Sequence, residues 1–166
     1  MRATALGLLA LVCGVSPVPA QDAPVVSVFV GGDEQSGPFL TYFIEDCGEC
    51  FVAQFSCGDG GGFALTLPDF DDQTLSRSLA ENGARGKLRL GASELELTAR
   101  QIIFSEMSGF WDVEFVAWGS DASALEPLAL SEPAVAVTAK GETALPAREA
   151  DSANARAFID ACRGRQ

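Results

Sequence analysis

The 166-residue chain contains no histidine. That absence removes the usual general base at neutral pH and the commonest zinc and copper ligand. It also removes every Ser-His or Cys-His catalytic pairing. Basic residues are scarce as well: 11 Lys and Arg stand against 23 Asp and Glu, for a net charge of −12. So acidic a chain repels nucleic-acid phosphates and anionic lipid head groups, which excludes DNA, RNA and membrane-surface binding. The same charge steers a basic protein partner toward it. No apolar run reaches the roughly 20 residues that span a bilayer.

The N-terminus reads as a secretory leader. MRATALGLLALVCGVSPVPA (1–20) has one basic residue, Arg2, then an apolar run from Ala3 to Val15. Val18 and Ala20 occupy the positions a signal peptidase reads. Val12 precedes Cys13 where a lipid-anchoring motif wants a small residue. Removal of the leader leaves a single domain at 21–166, exported to a bacterial periplasm or secreted, with no membrane insertion.

Several segments then keep a period of two, the mark of half-buried strands. VVSVFV (25–30) and PFLTYFIE (38–45) open the series. In CFVAQFSC (50–57), Phe51, Ala53, Phe55 and Cys57 share one face. GFALTLPD (62–69) follows a Gly-rich turn. KLRLGASELELTA (87–99) reads as a hairpin about Gly91. In GFWDVEFVAWG (109–119), Trp111, Val113, Phe115 and Ala117 are expected inside, with Asp112, Glu114, Val116 and Trp118 outside. LEPLAL (125–130), with an edge-type Pro127, and AVAVTA (134–139) are further strands. A short helix within 69–83 is expected to be capped by Asp72 or Thr74 and ended by Gly83. A second helix, about 151–163, takes Asp151 or Ser152 as its cap. The fold class is mainly β: a small antiparallel sandwich or barrel with a C-terminal α-helix.

Past the leader, four cysteines remain: Cys47, Cys50, Cys57 and Cys162. An even count in an exported chain reads as disulfides, and four sulfurs allow three pairings. Cys57 shares the apolar face of Phe55, and Cys162 lies four residues from Phe158 on one helical face, so 57–162 ties helix to sheet. Cys47 and Cys50 are expected opposite each other across a two-residue turn, close enough to bond. C-x-x-C is also the disulfide-exchange motif, but that chemistry wants the first cysteine at a helix N-terminus. Here a strand pattern follows, and Glu45, Asp46 and Glu49 raise a thiol pKa. The reading is crosslinks, not reagents.

No motif specifies a cofactor or a metal. DFDD (69–72) lacks the order of a calcium loop, and GDGGG (58–62) lacks the Lys-Ser/Thr of a phosphate loop. Twenty-three acids permit a hydrolytic carboxylate pair, although nothing in their order singles one out. Trp118 with Asp112 and Glu114 forms the candidate partner surface, an aromatic flanked by acids that suits a basic protein. FVAQFSCGDGGGFALTLPD (51–69) resembles the opening of the small periplasmic inhibitors of C-type lysozyme. The resemblance implies a compact disulfide-bonded β-barrel that inserts a loop into a lysozyme cleft. It departs from the family where Ser108-Gly109 leads into Phe110 and Trp111 rather than Arg and Tyr, so no functional residue carries over. The functional expectation is an acidic, disulfide-stabilised, non-enzymatic binding protein. Its alternatives are an inhibitor of a basic enzyme such as lysozyme, a carboxylate-based hydrolase, or a thiol oxidoreductase.

Overall fold

The computed structural model describes residues 26–33, 37–47, 50–58, 62–69, 74–82, 84–105, 110–146 and 148–165. The leader expected at 1–20 and the caps expected at Asp72 and Gly83 lie outside the described residues.

Most of the alternating segments form strands. Strands β1 (Val26–Asp33), β2 (Gly37–Ile44), β3 (Phe51–Cys57) and β4 (Gly62–Pro68) make a meander. Helix α1 (Thr74–Asn82) follows. Strands β5 (Arg85–Leu90), β6 (Ser93–Ser105) and β7 (Phe110–Asp121) then return, and β7 docks on β4. Strands β8 (Ala134–Thr138) and β9 (Gly141–Leu145) extend the sheet beyond β5. The order is β1-β2-β3-β4-β7-β6-β5-β8-β9, with antiparallel neighbours throughout. The result is one mainly antiparallel sheet curled into half a barrel, with a C-terminal helix.

That helix, α3 (Ser152–Arg163), lies against β1 and β2. It buries Ala155, Phe158, Ile159 and Cys162, the i, i+3, i+4, i+7 stripe of an amphipathic helix. These meet Leu40, Phe55, Leu65, Val113 and Phe115 in one core. Each such large side chain contributes roughly 1.5–3 kcal/mol relative to exposure.

Five local expectations are corrected. LEPLAL is not a strand: a 3-10 turn (Ala122–Leu125) runs into a short helix, α2 (Glu126–Ala129), with Pro127 in its first turn. Proline has no N–H to donate, and the first helical turn needs none there. GETAL (141–145), unread as a strand, forms β9 by pairing with β8. Asp69, not named as a cap candidate, caps α1: its carboxylate accepts the N–H groups of Leu75 at 3.2 Å and Ser76 at 2.8 Å. Asp151 stands at the N-cap position of α3, but its carboxylate is taken by Arg148 Nε at 2.7 Å and makes no cap bond. Trp111, expected inside, is 43% exposed. The β6–β7 hairpin runs past the core there, so Trp111 packs edge-on against Phe104, itself 49% exposed, with ring centres 5.0 Å apart.

Candidate functional site

On the outer face of the sheet, polar side chains line up in register across five strands. Thr41 pairs with Gln54, Gln54 with Thr66, Thr66 with Glu114, and Glu114 with Gln101. Thr41 donates to Gln54 Oε1 at 3.0 Å. A bulge in β6 leaves Arg100 as the extra residue between Ala99 and Gln101. A bulge re-aims side chains, and this one turns two consecutive residues onto one acid. Glu114 Oε1 accepts from Arg100 Nε at 2.7 Å and from Gln101 Nε2 at 2.9 Å. Glu114, expected on the open surface, is only 6% exposed. Its charge is matched by Arg100, as a buried carboxylate requires.

Farther along β7 the pairing with β4 breaks. Ala64 faces Val116 and Gly62 faces Asp121, so residues 117–120 arch out of the ladder. Gly119 turns the arch at φ 77°, a left-handed conformation that glycine adopts freely. Trp118 stands on the crest and is 74% exposed. Beneath it lies a groove of about 370 Å³ bordered by Gly58, Gly62, Phe63, Arg100 and Asp121. The carboxylate of Asp121 accepts from the hydroxyl and the backbone N–H of Ser123. The hydroxyl bond first, then the backbone bond, hold its pKa below the usual range, so it stays charged.

Asp112 belongs to a different place. It is 4% exposed and pairs with Pro68, the neighbour of Asp69. Asp69 is 1% exposed, and its N–H donates to the Trp111 carbonyl at 3.0 Å. Burial, then the charge of Asp69, push Asp112 up to about 6. Among the described residues its Oδ1 is buried without a hydrogen-bond partner. The three residues of the expected partner surface therefore do not form one: Trp118 is open, Asp112 and Glu114 are not. Asp121, Arg100 and the Gly119 arch replace the two acids at the groove. Strand alternation could not find them, because the arch suspends alternation where β4 ceases to match β7.

The sulfurs form two crosslinks. Cys57 is bonded to Cys162, joining β3 to α3, and Cys47 to Cys50, each pair with Cα atoms 5.3 Å apart. The expected ladder geometry at 47–50 is corrected. Cys47 ends a 3-10 turn (Glu45–Cys47), and Cys50 offers its carbonyl to the Ile44 N–H at 2.9 Å. The residue opposite Cys50 is thus Ile44. Separations of 105 and 3 residues give very different loop entropies. On that account the first bond stabilises by about 5 kcal/mol and the second by about 2 kcal/mol.

Among the described residues no cluster of three or more Cys, Asp and Glu could hold a metal ion. None of their helices is long and apolar enough to cross a membrane. The fold and groove thus define a class, a disulfide-crosslinked antiparallel half-barrel with an aromatic crest. No family model, curated protein or solved structure matches the chain.

Proposed function

We propose that the protein is an exported, non-enzymatic binding module that takes a basic protein segment at the groove beneath Trp118. One observation carries this reading: a tryptophan 74% exposed, held up by an arch in an otherwise regular strand. Exposed tryptophan costs solubility, and at interfaces it is the commonest energetic anchor. An indole face with a charged carboxylate nearby suits a Lys or Arg side chain, which gains from the ring and from the acid together. Asp121 supplies that acid, while Arg100 at the groove is neutralised by Glu114. The net charge of −12 accelerates encounter with such a partner. Two disulfides agree with an oxidising exterior.

The hydrolase reading has less support. A carboxylate pair must flank a bound substrate. Asp69 and Asp112, buried beside each other at the end of β4, are 1% and 4% exposed.

The test is a calorimetric titration of the protein with a Lys/Arg-rich peptide, an acidic control peptide and a basic lysozyme. Binding of the basic ligands is expected to weaken with salt, and Trp118→Ala should weaken it at least about 30-fold, as a hot spot of 2 kcal/mol or more requires. Equal binding of the acidic peptide, or an unaffected Trp118→Ala variant, removes the proposal.

A further inference from the structure

The C-x-x-C crosslink plays no part in the groove, and it differs from the other disulfide in what governs exchange. Cys162 is fully buried and Cys57 partly so. Cys47 is exposed and Cys50 half-buried. Thiol–disulfide exchange requires a thiolate to reach a sulfur in line with the bond. Cys47 is the most open of the four in the folded protein, whereas Cys162 is reached only once α3 has left the sheet.

The surroundings add selectivity. Glu45 shares the 3-10 turn of Cys47, and its side chain is 45% exposed. Arg148 lies 3.6 Å from it, and Asp151 claims the same guanidinium at 2.7 Å. Two carboxylates on one guanidinium leave the neighbourhood negative. An anionic thiolate is therefore repelled and a reagent carrying a cation is drawn in.

We propose that Cys47–Cys50 is a thiol-exchange site, opened by a cationic thiol or by a dithiol on a basic protein surface, while Cys57–Cys162 stays closed. The incoming thiolate attacks Cys47 Sγ, forming a mixed disulfide and expelling Cys50 as a thiolate. An ordinary thiol is mostly protonated at neutral pH, so Cys50 takes a proton from water. The second thiol of a dithiol, or a second molecule of a monothiol, then attacks as thiolate the reductant's sulfur in the mixed disulfide. The reductant leaves as an oxidised disulfide and expels Cys47, which is protonated in turn. Two electrons pass from the two reductant thiols to the cystine. Opening the bond frees the turn whose Glu45 reaches through Arg148 to Asp151, at the start of α3.

The experiment exposes the oxidised full protein to cysteamine and, separately, to 2-mercaptoethanesulfonate at equal thiolate concentration. Samples are quenched by alkylation at intervals and the labelled cysteines mapped by mass, with circular dichroism recorded in parallel. Cys47 and Cys50 should label at least about tenfold faster than Cys57 and Cys162, with the fold intact. Cysteamine should outpace the sulfonate by about tenfold at low salt, and the gap should close at high ionic strength. Labelling of all four cysteines together, in step with unfolding, overturns the proposal. Equal rates for the two thiols at low salt also overturn it. A Cys47→Ser/Cys50→Ser double variant should take no label under native conditions, and label there would show the other bond to be equally open.

Discussion

Asp69 Oδ2 lies 2.8 Å from both the backbone nitrogen and the hydroxyl of Ser76. A side chain at the end of β4 thus does for α1 what a residue beside the helix ordinarily does. The first turn of a helix has unsatisfied N–H groups and a positive end, and a carboxylate answers both. Because Asp69 is also held by β7 through its own N–H, the cap fastens the helix to the sheet. Asp69→Ala is expected to destabilise the protein by about 1–2 kcal/mol. Urea denaturation should show a lower midpoint at unchanged slope, and amide exchange should accelerate in α1 before it does in β4 and β7. Unchanged protection of α1 would mean that the helix is held elsewhere.

The neighbouring Asp112 makes stability depend on pH in a direction unusual for a carboxylate. Folded, it keeps its proton up to about pH 6; unfolded, only to its ordinary value of 3.8. Between those values the folded state binds more protons, so this group's contribution to stability falls as pH rises from about 4 to about 6. Most acids in folded proteins do the reverse. Asp112→Asn removes the descent. Relative to the natural protein, the variant should gain nothing near pH 3.5, and above pH 6.5 it should gain on the order of 2 kcal/mol. The gain should be nearly flat beyond pH 7. Paired denaturation curves across that range decide it: a constant difference would show that Asp112 titrates alike in the folded and unfolded states. Asp69→Ala should move the same step toward lower pH while leaving most of it, since burial is the larger cause.

What could be read from the residues follows the reach of each signal. Strands such as Phe51–Cys57 carry their own evidence, a period of two spanning seven residues, and the structure keeps both the strand and its faces. The C-terminal helix is legible for the same reason at a period of 3.6. Features made by two distant segments were not legible. Glu114 is drawn under cover by a bulge in β6, and Trp118 is lifted where β7 loses step with β4. Neither mismatch exists in one strand alone. Asp69 escaped because a cap is sought within a residue or two of its helix, not six residues before the N–H it receives. Trp111 failed differently: its side of the strand was read as the core face, but the core ends before the hairpin does.

The arch also isolates a backbone effect from a packing effect. An added Cβ at Gly119 meets nothing within 4 Å, so space does not explain the glycine. Its φ of 77° does, because an ordinary side chain in that region costs about 1–2 kcal/mol. Gly119→Ala should therefore lower stability by about that amount or flatten the arch to escape the strain. If it flattens, Trp118 sinks toward the sheet, its fluorescence shifts to shorter wavelength, and the basic peptide binds more weakly. Asparagine tolerates the left-handed region better than alanine, so Gly119→Asn should recover part of both losses. Binding that is indifferent to alanine and asparagine alike, with the emission of Trp118 unmoved, would detach the crest from recognition altogether.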